Sequence, residues 1–330
     1  MRRGHASRIR SLRGGSSGGS WVPGPVTQQA WRWPARPRTS NWSLDAGPAW
    51  RELPRPLASG VQGPHLSSMP RPSIRPWLTK WYLDCITRKG DCFIGYAGRV
   101  RLGPIGLAVT SALLGFESGP TTRRWRLLDG RVPKGTAAGE VGWKSRWLGV
   151  HGQWTTTAPS RRRVLHESNA LRVTWECMVP GGRARVRFGG ADLEGYGYAE
   201  CLSVTGDPAA LGLRELLWGH FAGPLTQLVW LVWRGAEPLT LVLWNGEEVP
   251  GATVPDAGVV LGRGQRLGLG APRVLRSGGV GDTLPAPLRL LVPASLYGIR
   301  EVKWIAEALL GNGRDPAERG WAIYERVTWP

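Results

Sequence analysis

From Trp77 to Trp329 the chain falls into short apolar, aromatic or alternating runs bounded by turn residues, and this pattern predicts β-strands. The densest stretch runs from Leu193 to Trp244. It opens on Gly195-Tyr196-Gly197-Tyr198-Ala199-Glu200, where alternation places Tyr196, Tyr198, Glu200 and Leu202 on one face. Leu213 to Phe221, Gln227 to Trp233 and Leu239 to Trp244 follow, each short, apolar or aromatic, and bounded by turn residues. Upstream, Lys80 to Ile86 and Cys92 to Val100 flank a Gly- and Asp-containing turn. A second hairpin is expected over Arg99 to Leu114, turning at Gly103-Pro104. Gly139 to His151 is strand-like, whereas Arg123 to Lys134 has no clear period.

Leu171 to Gly189 gives the cleanest alternation. Leu171, Val173, Trp175 and Cys177 alternate with Arg172, Thr174 and Glu176, and Ala184, Val186 and Phe188 alternate with Arg183, Arg185 and Arg187. Val179-Pro180-Gly181-Gly182 between them predicts a hairpin turn, with the three arginines on a solvated outer face. Asn245-Gly246 marks another turn, and Val254 to Leu269 and Leu288 to Pro293 read as further strands. Val302 to Leu310 fits either a short helix or an irregular strand. In the last run Trp321, Ile323, Val327 and Trp329 share a face with Glu325. A carboxylate there must be paired with a buried Arg, Lys or backbone group, or be functional.

Residues 1–68 have no such period. They hold GGSSGGS, many prolines, and ten Arg against only Asp45 and Glu52. Too little apolar surface is available to offset ordering entropy, so a disordered basic arm is expected, with Met69 as a candidate start of translation.

The 330 residues, 42% of them hydrophobic, suffice for one or two domains. The net charge of +19 comes almost wholly from Arg and reads either as translation from GC-rich DNA or as a basic surface for nucleic acid or anionic lipid. No RNA-binding aromatic motif accompanies it, so no specific nucleic-acid partner is assigned. Cys85, Cys92, Cys177 and Cys201 match no zinc spacing, and burial as free thiols is expected for Cys85 and Cys92. No metal or cofactor is implied. The uncharged stretch Leu102 to Phe116 falls short of the about 20 residues that span a bilayer. The cytoplasm is the default location, with peripheral membrane contact left open. P-loop, GxGxxG and HExxH motifs are absent, and the Gly-rich Gly278 to Asp282 reads as a plain turn.

Four places resemble the lipocalin-like superfamily that contains the carotenoid 1,2-hydratases (hydroxyneurosporene synthases). They are Lys80-Trp81-Tyr82-Leu83-Asp84 for the opening strand, Gly195-Tyr196-Gly197-Tyr198 for the central one, Leu217-Trp218-Gly219, and Gly320 to Trp329 for the closing strand. The resemblance implies two consecutive lipocalin-like antiparallel β-barrels, 77–206 and 207–330, each able to enclose an apolar ligand. It also implies a hydrophobic, isoprenoid-like small molecule and a hydratase (lyase) or isomerase activity. Where those hydratases carry His and Asp after the central Gly-Tyr, this chain reads Ala199-Glu200-Cys201. Glu200 is the nearest substitute for the acid, with His220 beside it, and Tyr196, Tyr198, Trp218 and Glu325 are the candidate ligand-binding residues. A non-catalytic carrier with the same barrels is the alternative, and a basic protein that binds nucleic acid or an anionic surface is a further one.

Overall fold

The computed structural model describes residues 78–330 apart from 103–104, 137–138, 157, 207, 263, 280–297 and 313–316. The basic arm, Met69 and the expected strand at Leu288 to Pro293 lie outside them. The described chain is β throughout, with no α-helix among the described residues and two antiparallel sheets in succession, one of them curled into a half-barrel. This is the all-β class, with two successive antiparallel sheets, that the alternation and the motifs led to.

The first sheet contains β1 (Leu78–Ile86), β2 (Cys92–Leu102), β3 (Ile105–Gly115), β4 (Thr122–Leu127), β5 (Lys134–Gly135), β6 (Glu140–Ser145), β7 (Val150–Thr155), β8 (Arg161–Glu167), β9 (Leu171–Phe188) and β10 (Ala191–Gly206). Their order is β4-β3-β2-β1-β10-β9-β7-β6-β5, with β8 paired to β9. A 3-10 turn, Pro208–Leu211, leads to the second sheet. That sheet contains β11 (Leu213–Ala222), β12 (Gln227–Gly235), β13 (Leu239–Trp244), β14 (Glu247–Glu248), β15 (Gly258–Val260), β16 (Arg266–Leu269), β17 (Arg273–Gly279), β18 (Arg300–Gly311) and β19 (Glu318–Thr328). Its order is β14-β13-β12-β11-β19-β18-β16-β15, with β17 paired to β18. Both sheets follow one plan. The first strand pairs with the last, an outward meander extends on one side, and the penultimate long strand carries an extra partner.

One expectation is corrected and the open ones are resolved. Leu171 to Gly189 is not a hairpin: β9 runs unbroken and pairs with β10 from Leu171↔Gly206 to Phe188↔Ala191. A Cβ at Gly182 would strike the Thr155 carbonyl oxygen, so this glycine serves close strand approach. The chain reverses instead at Gly189-Gly190, whose φ values of 63° and 88° suit a tight turn between twisted strands. Val302 to Leu310 lies within strand β18, because β19 and β17 satisfy its backbone on both sides. The unplaced segment near Arg123 supplies β4, an edge strand whose exposed arginines hid its period. Val254 to Leu269 contributes two short strands, β15 and β16.

Alternation sorts side chains into three apolar clusters. Leu83, Cys85, Phe93, Trp143, Trp154 and Phe188 pack within the first sheet alone. Phe221, Leu228, Trp230, Val242 and Leu310 pack within the second alone. The third cluster draws on both sheets, joining Tyr82, Ile86, Trp175, Tyr196 and Tyr198 to Trp218, Val229, Trp233, Ile305 and Ile323. It is the packing between the sheets. At its edge β8 latches the second sheet through Arg161 to Glu247 (2.6 Å), Arg163 to Glu248 (3.2 Å) and His166 to Glu237 (2.8 Å). These pairs are solvated on at least one side and set register more than stability. Arg185 and Arg187 point outward to Glu194 and Asp192, as expected of a wet face. All four cysteines are free thiols, three of them buried, and burial pushes Cys85, Cys92 and Cys177 well up. Among the described residues no helix is long and apolar enough to cross a membrane.

Candidate functional site

The strand faces that meet between the sheets carry an unusual number of polar groups. On β1 the period of two sends Lys80, Tyr82 and Asp84 to this side while Leu83 and Cys85 enter the first sheet's own core. On β10 it sends Tyr196, Tyr198 and Glu200, with a bulge opposite Val179 that re-aims the chain between Gly197 and Glu200. On β11 it sends Trp218 and His220, on β18 Glu301 and Lys303, and on β19 Glu325.

Glu200 stands opposite Tyr82 on β1 and Cys177 on β9. Its Oε2 accepts three hydrogen bonds: from Tyr198 OH at 2.6 Å, Trp175 Nε1 at 2.6 Å and Trp218 Nε1 at 3.2 Å. Trp218 comes from the second sheet, so the carboxyl is complete only when the sheets are together. Tyr82 meets Trp218 edge-on at 4.6 Å between centroids, and Tyr198 meets it at 5.6 Å. Burial pushes the Glu200 carboxyl above its ordinary value, although the Tyr198 and Trp175 donors and the Lys80 charge pull the other way. With Oε2 taken by donors, the proton of the neutral acid belongs on Oε1.

Glu325, opposite Lys303 in the β18–β19 register, forms a salt bridge with it. Burial alone would raise this carboxyl, but Lys303 and then Lys80 bring it below its ordinary value. Lys303 is 1% exposed, and its Nζ lies 5.0 Å from the ring centres of Tyr82 and of Trp218 and 5.8 Å from that of Tyr96. The Lys80 Nζ also lies over the Tyr96 ring, 5.1 Å from its centre. Burial lowers its ammonium, yet Glu325, Tyr96 and Glu301 more than offset this and hold it above its ordinary value.

His220 is fully buried and stacks on Tyr198 at 4.9 Å and 27°. Its Nδ1 lies 3.2 Å from Asp84 Oδ2, which also accepts from Tyr82 OH at 3.2 Å, and its Nε2 lies 3.0 Å from Gln227 Oε1. Tyr196 sits further along the same face of β10, under the Arg183 guanidinium at 5.0 Å. It lines a depression of about 290 Å³ with Thr155, Thr156, Gly181, Arg183 and Gln227.

The structure thus brings Tyr198, Trp218 and Glu200 into direct contact, sets His220 behind Tyr198, and places Tyr196 and Glu325 in separate surroundings on the same inter-sheet face. Trp175, Asp84, Lys303 and Gln227 were not singled out from the sequence. Alternation along Lys80-Trp81-Tyr82-Leu83-Asp84 carries the signal for Asp84, since it repeats the Tyr-x-acid spacing of Tyr198 and Glu200.

No family model and no curated protein matches the chain. Among solved structures it is similar to a candidate AttH from Nitrosomonas europaea, with 12% identity over 76% of this chain and 92% of that one and a TM-score of 0.48. It is similar to CghA, with 9% identity over 76% and 88% and a TM-score of 0.47. It is also similar to kievitone hydratase from Nectria haematococca, with 9% identity over 78% and 90% and a TM-score of 0.46.

Proposed function

We propose that the chain binds a hydrophobic, isoprenoid-like ligand against the face between its two sheets and hydrates or isomerises it with Glu200 as general acid. In this reading the sheets are two domains, 77–206 and 207–330. The observation that supports it is the Glu200 carboxyl, enclosed by one phenol and two indoles and pushed up by burial. Hydration of an unactivated alkene needs an acid that is protonated near neutral pH and a lining that tolerates a carbocation. Glu200 Oε1 gives its proton to one alkene carbon and the π pair becomes the new C–H bond. The rings of Tyr198, Trp175 and Trp218 face the cation that forms on the other carbon. Water adds there, and the proton it sheds returns to the Glu200 carboxylate. In isomerisation a neighbouring C–H gives up the proton instead, and no water is consumed. Tyr196 and Trp218 hold the ligand, and Glu325 keeps Lys303 from pairing with Glu200.

The test is incubation with linear terpenoid alkenes in heavy-oxygen water, followed by mass spectrometry. A product heavier by one labelled water supports hydration, and a product of unchanged mass with a moved double bond supports isomerisation. Tight binding with neither product across the panel is the behaviour of a carrier and would refute the acid role.

A further inference from the structure

Behind the Glu200 site lies a second polar chain that the hydration step does not use. Gln227 Nε2 donates to Gly182 O at 3.3 Å, which turns the amide oxygen toward His220. An acceptor at 3.0 Å from Nε2 means that Nε2 carries hydrogen. The other ring nitrogen, Nδ1, lies 3.2 Å from Asp84 Oδ2 with both side chains fully buried. Trp154 Nε1 donates to the Asp84 carbonyl at 2.5 Å and fixes the strand that presents the carboxylate. Asp84 is therefore a positioning residue: it orients the imidazole so that Nε2–H points at Gln227. Gln227 in turn lines the depression beside Thr155, Thr156, Arg183 and Tyr196. One side chain separates the depression from the dyad. It is closely backed as well, since a Cβ at Gly181 would lie 2.7 Å from Gln227 Cδ and Oε1.

We propose that Gln227 is a stopper whose amide oxygen occupies the place of a ligand carbonyl, and that the depression is a second subsite, for a carbonyl-bearing ligand. When the Gln227 side chain swings aside, the ligand oxygen accepts the His220 Nε2–H that Gln227 Oε1 otherwise takes. The Arg183 guanidinium, exposed at the rim over the Tyr196 ring, meets a second oxygen of the ligand. Gln227 already makes the exchangeable bond, so only an oxygen acceptor of similar reach replaces it without leaving a buried N–H unpaired. This inference does not rest on Glu200.

The experiment is diethyl pyrocarbonate labelling of the full chain, with His220 followed by peptide mass mapping and exposed His151 as internal control. In the wild type His220 should stay unlabelled while His151 reacts. Gln227→Ala removes the stopper and frees the tautomer with a bare Nε2. Gly181→Ala displaces it by crowding. In both variants His220 should label severalfold faster than in the wild type. Acetamide, the Gln side chain's own headgroup, should slow labelling of His220 in Gln227→Ala but leave His151 unchanged. Each variant is first shown to keep the wild-type circular dichroism and a cooperative urea transition, and if only one does so the comparison is made on that one. Unlabelled His220 in the folded variants would overturn the stopper. Labelling in the wild type at the His151 rate would do the same, and indifference to acetamide would overturn the carbonyl subsite. Glu200 takes no part in this labelling, so its outcome and that of the hydration assay are separate.

Discussion

Lys303→Met is expected to destabilise the protein by about 3–5 kcal/mol, because it leaves Glu325 as an uncompensated charge between the sheets. Lys80 stands close enough to hold part of that charge, which places the loss toward the lower end of the range. The double replacement Lys303→Met/Glu325→Leu removes both ions and should recover most of the loss, since a well-packed apolar pair avoids the desolvation cost that the ion pair bears. The pH dependence has a definite sign. The folded Glu325 carboxyl is held below its unfolded value, so the pair's contribution is present above the ordinary carboxylate range and is lost as pH falls through the folded value. In Lys303→Met, burial acts with less opposition and raises the same carboxyl, and protonation relieves the variant. The gap between wild type and variant in urea unfolding should therefore be wide near neutral pH and narrow in acid. A gap that does not change with pH would show that Lys303 acts through packing against Tyr82 and Trp218 instead of through charge.

Glu200→Gln keeps the shape and the acceptor oxygen toward Tyr198, Trp175 and Trp218 but removes the transferable proton. Turnover of any alkene found in the heavy-oxygen-water assay should fall about 10²–10⁴-fold, the usual worth of a general acid, while binding of the same ligand is largely retained. A loss confined to binding would make Glu200 a ligand contact and leave it no part in the chemistry. The variant also carries a stability signature opposite to that of Glu325. The folded Glu200 carboxyl is raised, so the wild type is favoured below the unfolded value and loses stability as pH rises through the folded one. Glu200→Gln lacks that slope and should gain on the wild type as pH rises.

Strands announced themselves as apolar, aromatic or alternating runs bounded by turn residues: β1, β2, β11 to β13 and β19 fall where the sequence places them. The misreading of β9 has a physical root. Pro180-Gly181-Gly182 has turn composition, yet the glycines serve backbone approach and side-chain crowding from Thr155 and Gln227, which belong to other strands and cannot be read locally. β4 was hidden because an edge strand lined with exposed arginines has no apolar face to alternate. The site divides the same way. Tyr196, Tyr198 and Glu200 lie on one strand, so their common face was legible, and Glu325 visibly needed a partner. That partner is Lys303, and only the β18–β19 register reveals it. Trp175 reaches Glu200 from β9, and Asp84 meets His220 from the other sheet. Neither contact has a trace in sequence spacing: the first arises from the β9–β10 register within one sheet, the second from the packing of one sheet on the other.

The central claim, that Glu200 is an acid kept neutral between the sheets, is tested most directly by titrating it. Side-chain carboxyl carbons of isotope-labelled glutamates are followed by NMR across the pH range, and the Glu200 signal is identified by its loss in Glu200→Gln. The account predicts a midpoint clearly above the about 4.3 of an unperturbed glutamate, because burial raises the carboxyl. A Glu200 midpoint at or below the ordinary value would contradict it.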